Sequence, residues 1–280
     1  MPALWAYPRR VTDPLARIAD ALERLAPPPA PPVDSAVHDS FVWRGDALHP
    51  VVAARAQPLA RFAGIDVQRD TLRENSRRHA AGLPAHDVLL WGARGMGKSS
   101  LVHAVVADLR SAGHDLALVQ VGRDDIASLG RLFEAWSTPR RMLVFADDLS
   151  FEADETQYKA LRSVLDGGIA ARPDGVRLVV TSNRRHLVPR LHGDDDAAVN
   201  PRDVLDDRLA LADRFGLSLG FHNCDQPTYL AIVAGYAMAH GLGFDERAAL
   251  AWAAGRGHRS GRVAWQYTQE VAGAAGVQLD

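Results

Sequence analysis

Between residues 86 and 223 the chain alternates short apolar runs with stretches of helical period. The runs "DVLLW", "LALVQV", "RMLVFA", "VRLVVTS" and "GLSLGF" are rich in Val and Leu. Each is too short for a helix and apolar at successive positions, so each reads as a strand buried on both faces. Strands separated by helical patterns predict an α/β domain with a mainly parallel sheet. After Asp225 the strand signal stops. "QPTYLAIVAGYAMAHGL", "DERAALAWAAGRG" and "GRVAWQYTQEVAGAAG" predict three helices and a small helical domain.

The first eighty residues are less regular. "PLARIADALERLA", residues 14 to 26, has apolar positions at helical spacing and predicts a short amphipathic helix. The prolines of "PPPAPPV" from Pro27 break it and read as an extended spacer. "FVWRGDALHPVVAARAQPLARFAGID" shows no clear period, and a helix opens after Asp66 and closes at Gly82. The expected domains are 1–40 (helix and spacer), 41–223 (α/β) and 224–280 (helical).

Composition adds little. Of 280 residues, 47% are hydrophobic and 24% charged, with a net charge of −2. That is ordinary for a globular protein and gives no global basic field for nucleic acid. The one cysteine, Cys224, cannot form an internal disulfide and fits a reducing compartment. No apolar run is long enough to span a bilayer, and "MPALWAYPRR" lacks the layout of a secretory signal. The expectation is a cytoplasmic protein with no membrane contact.

The chemistry concentrates after the first strand. "GARGMGKS", Gly92 to Ser99, fits the phosphate-binding pattern G-x-x-x-x-G-K-[ST]. Glycines let the backbone approach an anion, and the amides and dipole of the following helix favour its charge. Gly92, Gly95, Met96, Gly97, Lys98, Ser99 and Ser100 form the expected phosphate-binding set. Lys98 reaches the β and γ phosphates, and the Ser99 hydroxyl ligates Mg²⁺. "RMLVFADDLS" then places Asp147 and Asp148 at the carboxyl end of a buried strand, the edge where such sheets bind ligands. Asp147 is expected to hold Mg²⁺ through water, and Asp148 to orient or polarise the attacking water. Asn183 follows the strand "VRLVVTS", where it would hold that water near the γ phosphate. Arg214 and Arg262 bring permanent planar charge suited to phosphate oxygens.

In this order the motifs resemble those of AAA+ ATPases. The phosphate loop, Asp147-Asp148, Asn183, Arg214 and Arg262 match that family's Walker A, Walker B, sensor 1, arginine finger and sensor 2. "LLWGARGMGKSSLV", "DDLSFE", "LRSVLDGG", "TSNRRHLVP" and "LADRFGLSLGF" are most similar to a bacterial group known only as a domain of unknown function, near the replication-initiator and helicase-loader clade. The resemblance covers residues 45 to 275. It implies a P-loop NTPase core with a parallel five-stranded sheet of order 5-1-4-3-2, a helical lid, and ATP with Mg²⁺ as ligands. It also implies that Gly64 and Ile65 lie against the adenine, and that Arg214 reaches a neighbouring copy's nucleotide in a homo-oligomer. Such ATPases more often carry Glu at the position of Asp148. The shorter Asp implies slower hydrolysis, or a role shared with Glu152.

The activity expected from this resemblance is ATP hydrolysis coupled to remodelling or loading of a macromolecular client that the core does not name. The alternative is a slow or non-hydrolysing ATP-dependent switch. No N-K-x-D motif points to guanine, and the helical C-terminal domain suits a lid better than a small-molecule kinase. The histidines show no metal-site spacing. "NRRH" and "GRGHRSGR" are locally basic, but nucleotide phosphate already accounts for arginines there, so nucleic acid is possible and not favoured. In a monomer Arg214 would pair with a nearby acid such as Asp213 or Asp207.

Overall fold

The computed structural model describes residues 37–53, 55–149, 155–167, 172–183 and 211–279, with residues 14, 15, 17, 18 and 22 in the N-terminal segment. Those five N-terminal residues are helical. Residues 34–280 form one compact unit, distinct from residues 1–33.

Seven strands make one sheet: β1 Ser40–Arg44, β2 Ala47–Pro50, β3 Val88–Gly92, β4 Leu116–Val121, β5 Arg141–Ala146, β6 Val176–Ser182 and β7 Leu217–Phe221. Their order is β2-β1-β4-β5-β6-β3-β7. The five expected strands, β3 to β7, are parallel and stand as β7-β3-β6-β5-β4, the 5-1-4-3-2 arrangement. The expected count of five is corrected by β1 and β2, which extend the sheet beyond β4.

Those two strands form a hairpin in the segment that showed no period. Its loop is Gly45-Asp46, with φ of 57° and 61°. Two positive φ angles mark the tight turn that matches strand twist, and glycine and aspartate are among the residues that tolerate it. Tertiary contacts then fix the hairpin. Trp43 is 1% exposed, and its Nε1 donates to Ser128 Oγ at 2.7 Å. Phe41 packs edge-on against Trp136, and Arg131 pairs with Asp46 at 2.8 Å.

The helices are α1 Asp66–Ala80, α2 Lys98–Ser111, α3 Leu129–Ala135, α4 Glu155–Leu165, α5 Gln226–Ala239, α6 Glu246–Gly255 and α7 Gly261–Ala275. Helix α3 follows a 3₁₀ turn, Arg123–Ser128. Leu72 of α1, Leu101, Val105 and Leu109 of α2, and Leu90, Leu116, Phe145 and Val179 of the sheet share one core. Two buried polar side chains of α1, Asn75 and His79, are paired, as burial favours. Asn75 bonds both backbone groups of His86 at 3.0 Å, and His79 Nε2 lies 3.1 Å from the Met142 carbonyl.

The C-terminal helices start at side-chain caps. Asp225 accepts from Thr228 N, Asp245 from Arg247 N and Ser260 from Val263 N, each satisfying an amide the helix leaves open. Tyr229, Ile232, Val263 and Tyr267 join the same apolar core as Phe62, Leu101 and Phe221. Among the described residues, no helix is long and apolar enough to cross a membrane.

Candidate functional site

The parallel strands bring their carboxyl ends to one edge, and a cavity of about 670 Å³ opens there. Gly92 ends β3 with φ of 120°, and a Cβ there would stand 2.1 Å from the Phe221 carbonyl oxygen. Only glycine fits where the chain leaves the sheet. Gly95 and Gly97 follow with φ of 74° and 87°, and Gly97 is the N-cap of α2. The loop therefore curls its backbone around the space in front of α2, whose free amides and dipole suit an anion.

Lys98 is 7% exposed and lines this space. Its Nζ donates to the carbonyls of Gly92 (2.8 Å) and Ala93 (2.9 Å) and to Asn183 Oδ1 (3.1 Å). Burial pushes its pKa down to about 8, although Asp148 and Asp147 oppose the shift. Ser99 Oγ donates to Asp147 Oδ1 at 2.6 Å, and Thr181 Oγ1 donates to the same oxygen at 2.5 Å. Asp148 has φ of 53°, a region that costs a side-chain-bearing residue. Three groups hold it there. Its amide donates to Thr181 Oγ1 at 2.8 Å, its carbonyl accepts from Arg123 at 2.7 Å, and its carboxylate accepts from Asn183 Nδ2.

The structure thus gathers Gly95, Met96, Gly97, Lys98, Ser99, Ser100, Asp147, Asp148, Asn183 and Arg262 around one cavity. Arg262 belongs to the first turn of α7, and its amide donates to the Gly95 carbonyl at 3.1 Å. Ile65 lines this cavity and also a smaller one of about 220 Å³, and Gly64 lines only the smaller. Gly64 has φ of 74°, and a Cβ there would meet Thr228 Cγ2 at 2.2 Å, so its place is close contact with α5. Glu152 lies outside the described residues.

Arg214 is elsewhere. It precedes β7 by three residues, at the amino-terminal edge of the parallel strands. The five residues of β7 span roughly 15 Å at the usual rise, so its side chain cannot reach the phosphate loop of its own chain. Its Nε donates to Asp166, just past α4; of the acids expected to pair with it in a monomer, Asp207 lies outside the described residues.

Several contributors were not singled out in the sequence. Thr181 joins the two acids through one hydroxyl. Its signal was present as a polar residue at a buried strand's carboxyl end. Arg123 has its partner 25 residues away, and no local pattern marks it. The other end of the cavity is made by Gln57, Arg61, Phe62, Ile232, Tyr236 and Trp265. There Tyr236 and Trp265 meet edge to face at 5.1 Å.

A doubly wound parallel core of order 5-1-4-3-2, a phosphate loop after β3 and three C-terminal helices after β7 define the class: this is the AAA+ fold of P-loop proteins. Residues 36–275 match the family described as "Protein of unknown function (DUF815)", and the chain belongs to that family. Among solved structures, the Thermotoga maritima RuvB Holliday junction branch migration motor is 18% identical, with a TM-score of 0.51 over 79% of this chain and 67% of that one. The Aeropyrum pernix Orc1 protein in complex with DNA is 16% identical, with a TM-score of 0.55 over 78% of this chain and 65% of that one. These likenesses are of fold. No curated protein matches the chain.

Proposed function

We propose that the protein is a Mg²⁺-dependent ATPase of the AAA+ type, acting as a homo-oligomer to remodel or load a macromolecular client. The observation that carries this reading is the meeting of Lys98, Ser99, Asp147, Asp148 and Asn183 from three strand ends on one cavity. Among the described residues four cations line that cavity, Arg61, Arg94, Lys98 and Arg262, against two carboxylates. The surplus of positive charge suits a magnesium-chelated triphosphate.

In this reading Lys98 exchanges the Gly92 and Ala93 carbonyls for phosphate oxygens. The Ser99 hydroxyl and Asp147 carboxylate, hard oxygen donors already side by side, fit Mg²⁺, which would neutralise charge building on the phosphates. Asp148 orients the attacking water and takes up its proton, with Asn183 beside it. The aromatic end of the cavity receives the base, with Ile65 against it. Arg214 serves a neighbouring copy, because its own loop is at the far edge of the sheet.

We place the domain bounds at residues 40 and 223, and the protein in the cytoplasm, where its one cysteine stays reduced. The segment before Ser40, which precedes the first strand of the sheet, is the proposed client contact.

Titration with a fluorescent ATP analogue, paired with steady-state phosphate release, tests the site. Lys98→Ala is expected to abolish tight binding, and unchanged affinity would remove the assignment. Tight binding without phosphate release by the wild type would favour the non-hydrolysing switch.

A further inference from the structure

The carboxylate that meets Arg214 has a second cation beside it. Asp166 follows α4 directly, and Arg162, one turn back on that helix, stands with its Nε 3.6 Å from Asp166 Oδ2 while Arg214 Nε donates to Oδ1. The arginine hydrogen bond and then the two nearby cations hold the Asp166 pKa below the usual carboxylate range. The pair is at the surface, with side chains of Arg214 and Asp166 23% and 43% exposed. An exposed pair of this kind stabilises a fold little. It does restrict an arginine that would otherwise spread over many rotamers. Arg214 donates to the carboxylate through Nε, the guanidinium nitrogen nearest the backbone, and Arg162 approaches the same carboxylate from the helix side.

We propose that Asp166 is a positioning residue for the shared site, presenting Arg214 to the nucleotide of a second copy of this chain. The proposal rests on the trans role of Arg214 given above. A trans-acting arginine works through charge placed on the transferring phosphoryl group. Its effect depends on how often the guanidinium occupies that place, and a held side chain occupies it more often than a free one.

Mixed oligomers separate this from a local structural role. Lys98→Ala protomers supply Arg214 but no nucleotide site, and Arg214→Ala protomers supply the site but no arginine. Their mixture is expected to regain part of the ATPase rate. With Asp166→Asn added to the Lys98→Ala protomer, the regained kcat is expected to fall about tenfold, equivalent to about 1.4 kcal/mol of barrier. With Asp166→Asn added to the Arg214→Ala protomer instead, it is expected to stay unchanged. Asp166→Glu in the Lys98→Ala protomer is expected to recover the rate to within about twofold. Thermal melts and gel filtration establish that each variant folds and assembles. Equal losses from the two Asp166→Asn placements, or no loss from either, overturn the proposal, as does an Asp166→Glu donor as weak as Asp166→Asn. If the starting mixture regains nothing in a verified mixed oligomer, the trans reading itself fails, a different result from loss in only the Asp166 arms.

Discussion

Nucleotide binding is expected to draw in a proton through Lys98. Burial lowers the lysine to about 8 in the empty site, so at pH 8 about half of the molecules hold it neutral. Phosphate oxygens favour the charged form, and binding therefore selects the protonated lysine. At pH 7 the selection costs almost nothing. At pH 9 only about one molecule in ten is charged beforehand, so affinity is expected to be about tenfold weaker, near 1.4 kcal/mol. Among the described residues no histidine lines the cavity, and the triphosphate is fully ionised above pH 8, so the uptake expected there is that of Lys98. Isothermal titration calorimetry at pH 8, in buffers of different ionisation enthalpy, measures the uptake as a slope. About half a proton is expected, rising toward one at pH 9. A slope of zero at both pH values, with affinity flat from 7 to 9, would show that Lys98 is charged in the empty protein and refute the reasoning. The same burial opposes the charged lysine in the folded state. Its folded pKa is below the ordinary value, so the apo protein is less stable below pH 8 than it would be with a neutral side chain there. Lys98→Met is accordingly expected to raise the nucleotide-free melting temperature at pH 7 by several degrees.

Two further outcomes follow from the geometry. Asp148→Asn is expected to keep ATP and Mg²⁺ affinity while slowing single-turnover hydrolysis about a hundredfold, because the phosphate contacts survive and proton acceptance does not; normal turnover would move the catalytic role to another acid such as Glu152. Buried His79, lowered to about 4 chiefly by desolvation, stabilises fully above its unfolded value near 6.5 and loses that contribution as pH falls toward 4. Urea unfolding is expected to show about 2 kcal/mol less stability at pH 5 than at pH 7 from this residue. That difference should vanish in His79→Leu, and its persistence there would assign it to other groups.

The phosphate loop was legible because one short stretch contains the buried strand, the turn glycines and the helix that together make an anion site. Asp147 and Asp148 were legible because a four-residue apolar run delivers them to the ligand edge. The hairpin was not. Its turn pair Gly45-Asp46 is a local signal, but Phe41 and Trp43 become core only because Trp136 and Ser128, about 90 residues on, cover them. Thr181 was hidden by its setting, since a threonine in "LVVTS" reads as strand until its hydroxyl is seen between the Asp147 carboxylate and the Asp148 amide. Asp166 was hidden more completely. Nothing in "VLDGG" says that an arginine 48 residues later will meet it, because that contact depends on how the strand order places the foot of β7 beside the end of α4.

The hairpin also determines how the protein can be pulled. Strand β1 enters the sheet at Ser40 and runs parallel to β4, pairing Ser40 to Leu118 and on to Trp43 with Val121. Tension applied to the preceding chain along the strand direction acts in shear. The ladder bonds of β1 would have to fail together, rather than open one by one as in peeling. The neighbour they transmit strain to is β4, then β5, whose last residue, Ala146, directly precedes Asp147. A cargo held by the segment before Ser40 would thus tug on a stiff tether whose far end is the floor beneath the two carboxylates.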